Sequence, residues 1–168
     1  HRMGEADEFD SLEMQFKYGS IGADHPLAEA PLPYWLWKAL PALYDPAKVI
    51  PNGRGPTNGL SGWAAFGLYE EPATTIQPRG HQAGGPSFER PVGFSKRRVL
   101  GIDLVGLNCA FCHQGRLRVA EGAKSTLVVG GVGNTVSIEQ YFLYLFSAMT
   151  APDFEPDRVM KAVNDELK

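Results

Sequence analysis

The chain has 168 residues, of which 43% are hydrophobic and 21% are charged, and its formal net charge is −3. These values are typical of one globular domain of ordinary size, so we predict a single domain over residues 1–168. The acidic balance argues against nucleic acid as a partner, because nucleic-acid-binding domains usually carry a basic stripe. No apolar run approaches the roughly 18 residues of a membrane span, which argues against a transmembrane segment.

The first half of the chain predicts one helix followed by a long irregular segment. Residues 31–44 are predicted to form a short helix with Pro33 in its first turn, and Pro41 should kink or split that helix. Residues 45–95 contain many Gly and Pro turn signals and predict a loop-rich segment, within which residues 63–69 are apolar enough to be buried. Such a segment would wrap a cofactor, contact a partner or be partly mobile.

The second half carries short extended segments and two amphipathic helices. Residues 96–107 predict a buried extended stretch that enters a short helix, and residues 126–129 form another short apolar stretch. Apolar side chains at helical spacing predict helices over residues 137–149, with a capping box at Ser137, and over residues 156–167. These elements predict a mainly α-helical, loop-rich domain with a few short extended segments.

A Cys-x-x-Cys-His motif carries the chemistry of the chain. Its two cysteines, Cys109 and Cys112, lie three residues apart and are followed directly by His113. On one helical turn, residues at positions i, i+3 and i+4 project from the same face. Two thiols on that face can add to the two vinyl groups on one edge of a porphyrin, and the adjacent imidazole can ligate its iron. The motif therefore predicts one covalently bound haem c, with His113 as the proximal iron ligand.

Three other interpretations of the motif are weaker. A thioredoxin-like redox pair needs a βαβ setting, and a histidine directly after the second cysteine is not part of that pattern. A zinc site needs four ligands, so it would require His25 or His81 in addition, and adjacent Cys112 and His113 are awkward partners on one tetrahedral ion. The string could also be coincidental. We therefore favour haem c.

Four short segments occur together with a Gly130-Gly131 pair that leads to Tyr141-Phe142. They are FKYGSIG at residues 16–22, PYWLWKALP at 33–41, PVGFS at 91–95 and LNCAFCH at 107–113. In combination they resemble the first haem domain of large dihaem cytochromes related to bacterial cytochrome c peroxidases and rubber-oxygenase-like proteins. The resemblance covers residues 15–165.

This resemblance implies a cytochrome c-like, mostly α-helical haem fold and a periplasmic or otherwise extracytoplasmic protein. It also implies a second haem motif further along the chain, whereas this sequence contains only the one at residues 109–113. The second haem is therefore expected from a redox partner protein or a second haem subunit, unless the chain is part of a longer dihaem protein.

The iron ligand opposite His113 decides which function follows. A Met or His at that position closes the iron and favours electron transfer, whereas an empty position allows O2 or peroxide chemistry. The candidates are Met149, His81 and His25, and the alternative is an open or water-bound iron. Arg116 follows the motif closely and is a candidate to pair with a haem propionate.

We predict a c-type cytochrome domain that transfers electrons, alone or as the haem subunit of a larger redox assembly. Two alternatives stay open. One is a haem enzyme of peroxidase or oxygenase type with an open distal iron site. The other is a haem-bearing structural subunit whose segment 45–95 contacts partner proteins. Whether the chain is an enzyme therefore depends on the distal iron ligand.

Overall fold

A computed structural model of the chain describes residues 12–19, 32–71, 90–123, 126–131 and 133–166. Of these residues, 43% are helical and 18% lie in strands of antiparallel sheets. The chain is therefore an α+β protein, and the prediction of a mainly α-helical, cytochrome c-like fold is wrong. The fold class differs because segments that the sequence indicated as an extended stretch or as loops pair with one another as strands.

The described residues form six α-helices and five short strands. The helices are α1 (Leu12–Tyr18), α2 (Tyr34–Leu43), α3 (Pro46–Val49), α4 (Cys109–Cys112), α5 (Ile138–Met149) and α6 (Pro156–Glu166), and Gly62–Phe66 forms a 3-10 turn. The strands are β1 (Leu32–Pro33), β2 (Phe94–Val99), β3 (Ile102–Leu107), β4 (Gln114–Leu117) and β5 (Thr126–Val129). Within this part of the chain, no helix is both long and apolar enough to cross a membrane.

The largest departure from prediction is a β-hairpin over residues 94–107. The chain turns back at Leu100 and Gly101, so that β2 pairs antiparallel with β3 along its whole length. Both turn residues have positive φ angles, 50° and 85°. Leucine rarely adopts that conformation, so Gly101 supplies the only turn signal at these two positions. Strand β1 pairs with the other edge of β3, which makes a three-stranded sheet in the order β1-β3-β2.

A second, two-stranded sheet follows the cysteine motif directly. Strand β4 begins at Gln114 and pairs antiparallel with β5, with Gln114 opposite Val129. Only Asn108 separates α4 from β3, and only His113 separates it from β4. Both ends of the motif turn are therefore held by strands.

An aromatic cluster forms the main core and reaches the motif turn. Trp37 of α2 stacks on Trp63 with ring centres 4.5 Å apart, and the Trp37 Nε1 donates to the Tyr141 hydroxyl at 3.2 Å. Phe94 of β2 and Phe111 of α4 contact the same Tyr141 ring, with centre separations of 5.7 and 5.2 Å. The inward face of α4 is thus part of the core.

Several predicted elements are confirmed. Helices α5 and α6 form where the apolar spacing predicts them, with ends within one residue of the predicted ends. The apolar segment at residues 63–69 is buried through Trp63, Phe66 and Leu68. Residues 72–89, which belong to the predicted loop-rich segment, lie outside the described part of the chain.

Two local predictions about helix ends and the predicted split of α2 turn out differently. Pro33 directly precedes the first residue of α2 rather than lying in its first turn. Pro41 does not split α2, because the helix ends two residues later and little of it depends on the missing N–H. Ser137 makes no side-chain capping bond at the start of α5, and Gln140 instead donates to the Arg54 carbonyl at 2.9 Å.

Three buried tyrosines predict a loss of stability at high pH. Burial raises the pKa of Tyr18, Tyr141 and Tyr144, and the Glu71 carboxylate adds to this effect at Tyr18. In the unfolded chain these hydroxyls ionise near about pH 10, whereas the folded chain keeps their protons. The unfolded state therefore binds fewer protons at alkaline pH. The stabilisation is complete below about pH 10, and the free energy of unfolding should then fall by up to about 1.4 kcal/mol per tyrosine for each pH unit.

Urea unfolding between about pH 8 and about pH 11 measures this slope. A Tyr141→Phe variant removes one of these titrating groups and should make the slope shallower. A free energy of unfolding that does not change across the alkaline range would contradict the prediction.

Candidate functional site

The cysteine motif forms one helical turn with an open face. Helix α4 contains Cys109 and Cys112, and His113 directly follows it. Ala110 and Phe111 are 0% and 1% exposed, whereas both cysteines are half-buried and His113 is exposed. The two thiols and the imidazole are therefore the accessible groups of the turn, and Cys112 also packs in part against the core.

The cysteines are free thiols. Burial raises the pKa of the Cys112 thiol, and the neighbouring Cys109 adds to this effect. The Cys112 thiol therefore holds its proton more tightly than a solvent-exposed cysteine does.

The chain between β5 and α5 orients His113. The His113 Nδ1 lies 3.4 Å from the Gly131 carbonyl oxygen, and the His113 carbonyl accepts from the Gly130 N–H at 2.8 Å. A histidine that donates from one ring nitrogen to a carbonyl keeps the other nitrogen available as a metal ligand. The separation of 3.4 Å is long for a hydrogen bond, so this contact orients the imidazole ring and contributes little to stability.

Asn108 ties the start of the motif turn to α1. Its side-chain oxygen accepts from the Ala110 N–H at 3.0 Å and caps α4. Its amide nitrogen donates to the carbonyls of Lys17 and Gly19, at 3.2 and 3.1 Å. The side chain is 5% exposed, so these three bonds satisfy a buried amide. This role was not predicted, although an asparagine directly before a helix is a recognised N-cap signal.

Gly93 and Gln114 hold the motif turn from its buried side. Gly93 has a φ of +100°, and a Cβ atom at this position would lie 2.6 Å from the Phe111 Cα. Only glycine allows so close an approach of two backbones. Gln114 is fully buried, and its Nε2 donates to the Val92 carbonyl at 3.0 Å. Neither contact was predicted, because each joins residues that are well separated in the chain.

An apolar groove runs between α5 and the three-stranded sheet. Its volume is about 260 Å³, and it is lined by Leu32, Phe94, Val105, Gly106, Leu107, Tyr141, Phe142, Leu145, Phe146 and Met149. Two of its wall residues, Phe94 and Tyr141, contact the Phe111 ring. The groove and the inward face of the motif turn are therefore neighbouring parts of one packed structure.

The structure describes one of the three predicted distal ligands, Met149. Met149 lies on the groove wall and is 37% exposed, so it is not a core side chain packed away from solvent. Helical rise places it about 12 Å along α5 from Tyr141. His81 and His25 lie outside the described residues. Met149 thus stays a candidate, and none of the three is assigned as the ligand.

Arg116 lies on β4, three residues after His113. Its guanidinium carbon is 5.0 Å from the centre of the Tyr69 ring, which is a cation–π contact. The side chain is exposed. Its pairing with a haem propionate stays a prediction.

The structure describes only part of the donor set that a zinc ion would need, because His25 and His81 lie outside the described residues. In the described ranges, no three His, Cys, Asp or Glu side chains are grouped so that they could hold a metal ion. A structural zinc site would need four such ligands. Two free thiols and one imidazole on the open face of a turn are the groups that attach a haem and ligate its iron. The residues present therefore fit haem c.

Comparison of the chain with family models, with characterised proteins and with solved structures found no match. The resemblance to the first haem domain of dihaem cytochromes therefore stays a prediction from the short segments quoted above. The function has to be inferred from the site itself.

Proposed function

We propose that this chain is a c-type cytochrome domain that carries one covalent haem and transfers electrons, alone or as the haem subunit of a larger redox assembly. One observation carries the proposal. Cys109, Cys112 and His113 are the accessible residues of a turn whose other two residues, Ala110 and Phe111, are buried. The two thiols would form the thioether bonds, and His113 would be the proximal iron ligand.

The residues around the motif support this role through their positions. The Gly131 carbonyl faces Nδ1 of His113 and leaves Nε2 available for the iron. Phe111 anchors the turn among Phe94 and Tyr141, so the thiols project from a rigid support. When bound, haem supplies reversible one-electron chemistry, and the protein adjusts its potential through the axial ligand and burial.

The location and partners follow from the sequence resemblance. We infer a periplasmic or otherwise extracytoplasmic protein, since that is where the resembling dihaem cytochromes are expected. A domain with one haem also needs another redox group to exchange electrons with. We therefore infer a redox partner protein or a second haem subunit.

Haem attachment is tested by producing the full chain together with a bacterial c-haem maturation system. We expect a mass increase of one haem that survives denaturation, and a reduced spectrum typical of c-type haem. The double variant Cys109→Ser, Cys112→Ser should lose this mass increase because no thiol is left to form a thioether. Val119→Ser, at a position that is 86% exposed, is the control and should load haem normally. A wild-type chain without covalent haem would overturn the proposal.

Carbon monoxide separates an electron carrier from a haem enzyme. We expect the spectrum of the reduced protein to stay unchanged with carbon monoxide, because a second axial ligand closes the iron. A clear change in the Soret band would contradict the electron-carrier role and favour a peroxidase- or oxygenase-type enzyme. A change that occurs only in Met149→Ala would identify Met149 as the distal ligand.

A further inference from the structure

The turn between β2 and β3 exposes an aliphatic tip. Val99, Leu100 and Ile102 are 46%, 99% and 57% exposed. Single exposed apolar residues are common on protein surfaces, but three at one protruding turn form a patch. We call residues 99–102 the hairpin tip.

The backbone makes leucine an unusual choice at this tip. Leu100 has a φ of +50°, a conformation that Asn and Gly adopt readily and leucine does not. Because the side chain is 99% exposed, packing within the described fold does not compensate for this backbone cost. Uncommon backbone conformations of this kind are concentrated at functional sites. We infer that the leucine makes a contact outside the described fold.

Basic residues lie directly behind the hairpin tip. Residues 96–103 include Lys96, Arg97 and Arg98 and one acidic residue, Asp103, so the segment has a formal charge of +2 from three cations and one anion. The chain as a whole has a net charge of −3. Arg98 lies 3.9 Å from Asp103 and Lys96 lies over the Tyr34 ring, so Arg97 is the basic residue that shares the face of Val99 and Ile102.

The geometry of the hairpin fits the surface of a lipid bilayer. Strand alternation places Arg97 on the same face as Val99 and Ile102. At about 3.3 Å per residue, Leu100 lies roughly 10 Å beyond Arg97. Peripheral segments that bind membranes bury their apolar side by about 5–10 Å, with basic residues near the headgroups. We propose that the hairpin tip inserts into an anionic bilayer surface, with Arg97 at the phosphate level.

The composition of the tip favours lipid over a protein partner. Binding hot spots between proteins are enriched in Trp, Tyr and Arg, and Leu and Val are under-represented there. The three side chains of the tip are all aliphatic, and Arg97, on the face of Val99 and Ile102, attracts anionic headgroups. The proposal depends on the hairpin alone and is independent of the proposed haem function.

Co-sedimentation of the full chain with lipid vesicles tests this proposal. We expect binding to vesicles that contain phosphatidylglycerol, little binding to pure phosphatidylcholine, and weaker binding at high salt. Leu100→Asn should lower the partition coefficient about tenfold, because one leucine side chain is no longer buried. Its thermal stability should be equal or higher, since asparagine tolerates positive φ. Leu117→Asn, at a position 60% exposed on β4, is the matched control and should bind like the wild type.

Each outcome of this test supports or overturns the proposal. Weaker binding of Arg97→Gln to phosphatidylglycerol vesicles would support it. Equal binding of Leu100→Asn and the wild type, or no binding to anionic vesicles, would overturn it. Self-association that is lost in Leu100→Asn, without vesicle binding, would assign the tip to a contact between copies and also overturn it. Haem loading is read from the mass and spectrum of the same sample, so failure of either proposal is recognised separately.

Discussion

Replacing Gly93 with alanine is expected to destabilise the fold by about 3 kcal/mol or more and to reduce haem attachment. The new Cβ would lie 2.6 Å from the Cα of Phe111 and 2.8 Å from its backbone nitrogen, and the φ of +100° disfavours any side chain. Because both neighbours are backbone atoms, the clash can be relieved only by moving α4, which carries the cysteines. A displaced turn presents Cys109 and Cys112 differently to the haem.

Urea unfolding and the yield of covalent haem measure this effect. Gly101→Ala is the matched control, because Gly101 also has positive φ, +85°, but a Cβ there meets nothing within 4 Å. The control should cost about 1–2 kcal/mol for the left-handed backbone and leave haem attachment intact. If both variants lost the same free energy of unfolding and the same yield of covalent haem, the backbone conformation would explain the destabilisation, and contact with the motif turn would not.

Replacing Asn108 with alanine is expected to destabilise the fold by about 3 kcal/mol, the second-largest effect. Loss of the cap on α4 costs about 1 kcal/mol. The Gly19 carbonyl also loses its donor, and the Lys17 carbonyl keeps only the bond from the Gly93 N–H at 2.9 Å. A buried group left unsatisfied costs about 1–3 kcal/mol. The same bonds hold the turn on α1, so we expect the haem-loading yield to fall together with stability.

Two further variants separate capping from the link to α1. Asn108→Ser keeps an uncharged side-chain oxygen that can accept from the Ala110 N–H but loses the two donated bonds, so its stability should be intermediate. Asn134→Ala removes a cap-like bond to the Val136 N–H at an exposed residue, and should cost about 1 kcal/mol or less. If Asn108→Ala were no more destabilising than Asn134→Ala, the buried link to α1 would contribute little.

These predictions share one physical basis, which is that protein contacts define the motif turn. Asn108 holds its beginning, Gly93 allows it to pack closely, and the Phe111 ring anchors it in the aromatic core. The thiols and the imidazole therefore project from a supported turn. Changes that leave Cys109, Cys112 and His113 intact should still alter haem attachment.

Local spacing in the sequence determined the motif and the two C-terminal helices. Residues three and four apart meet on one face of a helical turn, so the motif alone predicts a shared face for Cys109, Cys112 and His113. Helices α5 and α6 form where apolar side chains repeat at helical spacing, for the same reason. The identity of the cofactor was predicted in the same way, from donor types and their spacing.

Tertiary contacts decided the fold class and the support of the site. A leucine does not signal a turn in a sequence. The left-handed backbone at Leu100 follows only from the pairing of β2 with β3. Asn108 acts on Gly19, 89 residues earlier, and the groove exists only because α5 lies beside the sheet. Propensity and spacing describe neighbours within about four residues. Strand partners, close backbone approaches and groove walls join distant segments, and they are settled only when the whole chain packs.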